Sequence, residues 1–556
     1  MPELTWQGKA QVKLHHLDVP FHFLNKQYDF HAAAGSPDNR SDNILIHGDN
    51  LLALKSLLPE FGGRIHCIYI DPPYNTGNEN WVYNDNVNDL RIQKWLGEVV
   101  GKEGEDFSRH DKWLCMMYPR LKLLKQLLAK DGVIFISIDD NEQASLKLIC
   151  DEIFDRNNLL AQMVWRTDGN FDNQAKIKIC HEYILCYARD ISLLGLPNGI
   201  DPSIPENSKI FNPFIKNTIV KNGSKNPTSI VTLPVGFPCS EKELIIKKRV
   251  DTYPHYLSDA HIANYQLINP VEVSSGWSSK SLLEEFIANG FNPVLDTKGQ
   301  KTHFEITATG AIESIKERNN TSHIVSILQG LGSTQNTSSD LRNANIIFNF
   351  PKPVDLLKYL INFYADKNAI ILDSFSGSGT TAHAVLSLNQ KDGGNRRFIG
   401  VEMMDYAENI TAERIRRVID GYGSGNKAVV GTGGGFTFYT VGDRLFDENK
   451  NLNPNAPMAA IRDYIAYTEA LDTVWPSENG VSPHALGYQN GTAYVFYYEP
   501  HTTALSWDFL NTLNAEGLSE KPEQWVIYAD TNVLTDEQLK QSNIIFKRIP
   551  RDIYKL

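Results

Sequence analysis

The six cysteines of this 556-residue chain (Cys67, Cys115, Cys150, Cys180, Cys186 and Cys239) form no C-x-x-C pair and no His/Cys ligand spacing. That excludes a disulfide framework and a zinc module, and no metal is expected; the thiols read as buried or incidental groups of a reducing compartment. No apolar run approaches the roughly 20 residues that span a bilayer, so no membrane association is expected. The opening M-P-E-L-T-W-Q-G-K-A lacks the basic-then-apolar order of a secretory leader, which makes a cytoplasmic location the expectation. Internal repeats and low-complexity tails are missing too. Positive charge is scarce: the formal net charge is -12. Taken as one number this argues against a nucleic-acid partner, but phosphates respond to local patches, not to the total.

One patch does exist. Between Lys209 and Arg249 eight basic residues face two acidic ones, a net of +6. Lys209, Lys216, Lys221, Lys225, Lys247, Lys248 and Arg249 are the candidates for phosphate contact, although a charge run is more often only a solvated face.

The apolar run Ile65 to Ile70 (I-H-C-I-Y-I) reads as a buried parallel strand and delivers D-P-P-Y-N-T-G to its C-terminal edge. Pro72 and Pro73 cannot continue a ladder, so the chain leaves the sheet on a stiff path. Asp71, Pro72, Pro73 and Tyr74 then offer a carboxylate, backbone carbonyls and a flat ring, a set suited to a heterocycle bearing an exocyclic amine. Read alone, the stretch is equally an ordinary Asp-Pro turn.

A second strand-to-helix junction, I-I-L-D-S-F-S-G-S-G-T-T-A-H-A-V, runs from Ile370 to Val385. Its glycines permit close backbone approach to a ligand. G-S-G-T-T-A satisfies the dinucleotide pattern, with Glu402 as a ribose partner at the end of F-I-G-V-E. No G-K-[ST] follows, which excludes a nucleotide-triphosphate loop, and no G-x-S-x-G or triad is legible. A core-packing turn, a dinucleotide site and an S-adenosylmethionine site remain open on these residues alone. His47, His181 and His383 lie close to the motifs and read as structural groups.

The rhythm around the motifs is α/β. N-I-L-I-H-G-D is a strand ending before an Asp49-Asn50 cap, V-I-F-I-S-I is another, and L-L-A-Q-M-V-W-R and H-E-Y-I-L-C-Y-A-R are two more. D-K-W-L-C-M-M-Y-P-R-L-K-L-L-K-Q-L-L-A-K-D-G predicts a helix closed by Gly132. The polar stretch 75–110 predicts a lid beside the pocket. Five segments follow: an arm or edge element at 1–42, an α/β half at 43–190, an α+β insertion at 191–345, a second α/β half at 346–425 and an α+β C-terminal domain at 430–556.

In this order, D-P-P-Y before F-S-G-S-G, the two motifs together resemble the amino-group DNA methyltransferases of the β group. This group includes the modification subunits of type III restriction-modification systems. The resemblance covers 43–190 and 345–422 well and the C-terminal region less specifically. It implies an α/β fold, a circularly permuted doubly wound methyltransferase sheet carrying an inserted target recognition domain. The cofactor implied is S-adenosyl-L-methionine, lined by Asp373, Phe375, Gly377, Gly379 and Thr380, with Lys352 nearby, Glu402 on the ribose and Asp49 facing the adenine. Asp71 and the Pro72 carbonyl would accept the N-H groups of an adenine flipped from double-stranded DNA, with Tyr74 stacked on it. The acid at position 71 favours adenine N6 over cytosine N4. The resemblance also implies a homodimer and a separate helicase-nuclease restriction subunit. Two rivals are a nicotinamide-dependent oxidoreductase, which leaves D-P-P-Y without purpose, and a DNA-binding specificity protein without catalysis.

Overall fold

Apolar runs too short for long helices become the centre of one ten-stranded sheet. In the computed structural model its strands are β1 (His22–His31), β2 (Asn43–His47), β3 (Ile65–Ile70), β4 (Leu128–Ile138), β5 (Leu159–Arg166), β6 (His181–Ala188), β7 (Ile327–Leu328), β8 (Ile370–Asp373), β9 (Arg397–Glu402) and β10 (Gly435–Arg444). The described residues are 3–76, 108–167, 176–205, 207–318, 322–471, 473–475, 482–499, 501–513, 522–550 and 553. Most of the stretch expected to form a lid, from residue 77 to 107, lies outside them.

The spatial order is β1-β10-β2-β9-β8-β3-β4-β6-β5-β7. From β10 through β4 all neighbours are parallel, whereas β6 runs antiparallel to both β4 and β5. β8 leads through helix α5 (Thr380–Asp392) to β9 on one side, and β3 leads through helix α2 (Ser108–Leu127) to β4 on the other. The winding direction therefore reverses between β8 and β3, and the crevice beyond their carboxyl ends is where such sheets take ligands.

Both faces of the central strands are covered. Ile68 and Ile70 point into a core shared with helices α1 (Asn50–Phe61) and α2, while Cys67 and Tyr69 point into the opposite core. That opposite core is shared with α5 and helix α4 (Val354–Asn362), as the two-residue period of a strand requires.

Two features depart from the expectations. The helix predicted to end at Gly132 stops at Leu127, and Leu128 already pairs with Ile65. The ladder slips before Cys67 meets Val133. A side chain at position 132 would stand 2.8 Å from the Ile65 carbonyl, so glycine here serves a tight strand approach and no helix cap. The segment expected as an arm or edge element contributes the edge strand β1, which pairs along β10 from His22↔Arg444 to His31↔Gly435; β10, inside the segment expected as a separate C-terminal domain, thus joins the main sheet. A five-stranded sheet (473–474, 485–489, 492–496, 524–529, 544–548) follows. Its neighbouring helix, Met458–Thr468, meets the residue just before β1 through Tyr464, whose ring centroid is 4.9 Å from that of Phe21.

Residues 203–323 form a compact unit apart from the rest, so 191–202 and 324–345 belong to the larger body. The unit holds two three-stranded sheets, a four-stranded sheet and the helix Lys280–Ala288, closed over a core that includes Phe237, Tyr256, Trp277, Phe286 and Phe304.

Candidate active site

β3 ends at Ile70, and the next four residues turn away from the sheet at the switch point. The Trp113 indole on α2 donates to the Pro73 carbonyl at 2.7 Å, which fixes the stiff exit path. Asn75 takes the left-handed conformation (φ 59°), buried beside Glu142, to which its amide donates at 2.5 Å. The Asp71 Oδ2 atom lies 3.0 Å from the Lys352 ammonium, whose third neighbour besides Tyr74 is Glu182 Oε2 at 3.1 Å. Tyr74 completes the ring: its hydroxyl donates to Glu182 at 2.9 Å, accepts from Lys352 at 2.8 Å, and its ring centroid lies 4.8 Å from the ammonium. Asp71 Oδ1 is buried and meets no hydrogen-bond partner among the described residues. Burial pushes the Asp71 carboxyl up from its ordinary range, against the pull of Lys352. Burial would lower the Lys352 ammonium, but Asp71 and Glu182 outweigh it and hold that pKa up.

The glycine turn is built one strand away. Gly377 (φ 52°) and Gly379 (φ 83°) both sit in the left-handed region, and a Cβ on Gly379 would stand 3.3 Å from the Thr411 carbonyl. Asp373 holds the turn from within, accepting from the Phe375 amide at 3.0 Å and the Thr381 hydroxyl at 2.5 Å. Glu402 accepts from the Gly377 amide at 2.7 Å and the Met404 amide at 2.9 Å. Burial raises the carboxyls of Asp373 and Glu402 to about 7 each, those hydrogen bonds notwithstanding. The buried Arg414, on helix α6 (Glu413–Asp420), donates to the Ser378 and Thr380 hydroxyls at 2.6 and 2.8 Å. Burial lowers its guanidinium to about 10.

Asp49 follows β2 and caps α1 by accepting from the Leu51 amide at 2.8 Å. The same oxygen lies 3.2 Å from Arg120, which also donates to Asn50; Asn50 in turn donates to the Ser374 carbonyl at 2.9 Å. A buried chain of contacts therefore links the end of β2 to the start of the glycine turn.

The carboxyl ends of β2, β9, β8 and β3 thus bring together Asp49, Glu402, Asp373 with its glycines, and Asp71 with Tyr74. The Lys352 ammonium sits at the D-P-P-Y end, and Phe348 of the same segment approaches the turn, 3.6 Å from where a Cβ of Gly377 would be. Glu182, Arg120 and Arg414 escaped the sequence reading. Glu182 and Arg120 are each a single charge inside an otherwise apolar run (H-E-Y-I-L-C, M-M-Y-P-R-L), and that contrast was the available signal; Arg414 is one of three arginines in R-I-R-R-V-I and carries no such signal. His383 lies 3.4 Å from an Arg414 nitrogen and His181 3.1 Å from the Tyr183 hydroxyl, both structural contacts.

Within 203–323, Lys209, Lys216, Lys221, Lys225, Lys247 and Lys248 are exposed. Lys216 pairs with Glu305 and Lys247 with Asp259, each at 2.9 Å. Arg249 is engaged inside the unit, donating to the Thr309 and Pro254 carbonyls over the Tyr256 ring.

A doubly wound sheet with a carboxylate-proline turn and a glycine turn on adjacent strands defines a candidate transferase crevice. Residues 65–413 match the DNA methylase family of N6/N4 type, and the chain belongs to that family. It is 34% identical over 428 residues to the type III restriction-modification enzyme EcoPI Mod subunit of Escherichia phage P1, covering 72% of this chain and 63% of that protein. To the StyLTI Mod subunit of Salmonella typhimurium it is 33% identical over 387 residues, 65% of this chain and 52% of the other. The type II methyltransferase M.KpnI of Klebsiella pneumoniae is 29% identical over 377 residues, 66% of this chain and 81% of that one. The alignments span between half and two-thirds of the length of the two Mod subunits.

Proposed function

We propose that the chain transfers a methyl group from S-adenosyl-L-methionine to adenine N6 in double-stranded DNA, as the modification subunit of a type III restriction-modification system. The observation that carries this is the split use of the Asp71 carboxylate: Oδ2 is held by Lys352 while Oδ1 has no partner among the described residues. Such an acceptor suits an exocyclic N-H group. The amine's lone pair is delocalised into the ring, and hydrogen bonds from its protons to Asp71 and the Pro72 carbonyl favour a pyramidal nitrogen with the lone pair exposed. Tyr74, fixed by two hydrogen bonds, offers its ring to the flipped base; such stacking contributes about 1–3 kcal/mol.

The residues at the neighbouring strand ends fit the cofactor. Two left-handed glycines leave the turn without side-chain bulk, the Ser374 hydroxyl is buried without a partner among the described residues, and the Glu402 carboxylate is at hand for ribose hydroxyls. Asp373, Phe375, Gly377, Gly379 and Thr380 would line it, and Asp49 would face its adenine. When bound, it supplies an electrophilic methyl on a sulfonium.

In this reading the sheet is the permuted methyltransferase order, residues 203–323 are the target recognition domain, and its exposed lysines meet phosphate. A homodimer and a restriction subunit as partner belong to the same proposal, supported by the Mod names of the relatives.

The test is transfer of labelled methyl from S-adenosyl-L-methionine to unmodified duplex DNA, with nucleoside mass analysis and Asp71→Ala alongside. N6-methyladenine that disappears in the variant is the expected result. N4-methylcytosine would overturn the target assignment, and bound cofactor without transfer on diverse duplexes would overturn the enzymatic reading.

A further inference from the structure

Glu182 belongs to neither motif. It sits on β6, the antiparallel strand two places from β3, and reaches the D-P-P-Y turn through two contacts: Tyr74 OH at 2.9 Å and Lys352 Nζ at 3.1 Å. Lys352 comes from a third element, the segment before α4, and is nine-tenths buried. We propose that Glu182 and Lys352 are positioning residues for methyl transfer, a clamp that orients Asp71 and Tyr74 and sets the charge against which the reacting amine develops its own. This rests on the function proposed above.

The geometry divides the work. Lys352 has three ammonium protons and three oxygen neighbours here: Asp71 Oδ2, Glu182 Oε2 and Tyr74 OH. With those satisfied, the Asp71 carboxylate cannot rotate its Oδ2 away, and Oδ1 is the atom left for the substrate. Glu182 accepts from both Tyr74 and Lys352, so the aromatic ring and the ammonium share one anchor and keep a fixed separation. Two carboxylates and one ammonium leave the cluster with a net charge of -1. As the amine nitrogen forms its bond to carbon, the electron pair of the breaking carbon-sulfur bond stays on sulfur and the nitrogen becomes positive until it releases a proton to solvent water. A fixed negative cluster a hydrogen bond away lowers the energy of that cation. Without Glu182 the net charge would be zero; without Lys352 it would be -2, and the two carboxylates would repel.

The clamp predicts opposite effects from its two members. Lys352 favours ionised Asp71 and Glu182 opposes it, while Tyr74, Tyr69, Asp139 and Asp373 are the other titratable groups facing the pair. Methyl transfer needs Asp71 ionised. Lys352→Met therefore shifts the Asp71 titration and the acid limb of the rate to higher pH, by about one unit or more, and Glu182→Gln shifts both to lower pH. Lys352→Arg restores part of the wild-type position.

The experiment has two readouts on the full chain. The first is the carboxyl titration of Asp71, followed by 13C NMR of Asp-labelled protein without cofactor, with Asp71→Asn identifying the signal. The second is the pH profile of single-turnover methyl transfer to duplex DNA. Opposite displacements of the titration, mirrored in the acid limb, are the expected result. Displacements of one sign, or none, overturn the clamp; so does a titration that moves while the acid limb stays, which is what a purely structural role gives. Should Lys352→Met not fold, the sign of the Glu182→Gln displacement decides. Absence of transfer by the wild type, with a titration that still moves in opposite directions, brings down the proposed function and leaves the electrostatic pairing standing.

Discussion

Glu402 and Arg120 are both sealed from water, and they stabilise the site in different ways. Glu402 holds the Gly377 and Met404 amides with a carboxyl whose pKa is raised to about 7. A group whose folded pKa lies above its unfolded value of 4.5 contributes stability that is complete below that value and is lost as pH rises through the folded one. Urea titrations at pH 4.5 and 8 should show a stability loss assignable to Glu402 of roughly 3 kcal/mol. Glu402→Gln should flatten that part of the profile. Arg120 instead balances Asp49, and the two side chains are only 2% and 6% exposed. Arg120→Met strands the carboxylate and should cost about 3–5 kcal/mol in denaturant unfolding. Cofactor affinity should fall with it, because Asn50 loses the partner that aims it at the Ser374 carbonyl. A variant of unchanged stability would show that Asp49 reaches water.

At the scale of elements, the strand ends carry the site, and the glycine turn is the element least tolerant of change. Gly379→Ala places a Cβ on a residue at φ 83° and 3.3 Å from the Thr411 carbonyl, a cost of about 1–2 kcal/mol from the left-handed backbone alone. If the turn relaxes away from its binding shape to relieve that strain, isothermal titration with S-adenosyl-L-methionine should record a loss of affinity of about 5- to 30-fold. The strands β2, β3, β5, β6, β8 and β9 were legible because each is a short apolar run bounded by a polar residue or turn. Position 128 was not: Leu128 and Ala129 continue the helical period of α2, and only their pairing beside Ile65 makes them strand. β1 and β10 were illegible for another reason. H-F-L-N-K-Q-Y-D-F-H is half exposed and finds its partner some four hundred residues later, a pairing no local pattern encodes. The same distinction holds in the site. D-P-P-Y and the glycine turn are contiguous motifs, whereas the contact of Glu182 with Tyr74 and Lys352 exists only in three dimensions.

For the whole molecule, the unit 203–323 leaves and re-enters the larger body at neighbouring points. A Cβ on Gly199 would lie 3.4 Å from Ile324, and the Val164 amide bonds the Ser326 carbonyl at 2.8 Å. Replacing 203–323 with a short Gly/Ser linker should therefore leave a folded protein that still binds S-adenosyl-L-methionine, because every strand of the main sheet lies outside the excised span. Methyl transfer to duplex DNA should vanish. Calorimetry of cofactor binding beside the transfer assay checks this; loss of both would mean the body needs the insertion to fold.

The pairing order of the sheet also carries a timetable. β2 lies between β9 and β10, and β1 pairs within the sheet only with β10. β2 thus has no partner strand until residues from Arg397 onward exist, roughly 20–70 s of synthesis later. Meanwhile β3, β4, β6 and β5 can already zip together. For that interval I-L-I is an unpaired β-edge, so a strand in the interior of the finished sheet is among the last to be closed in on both sides.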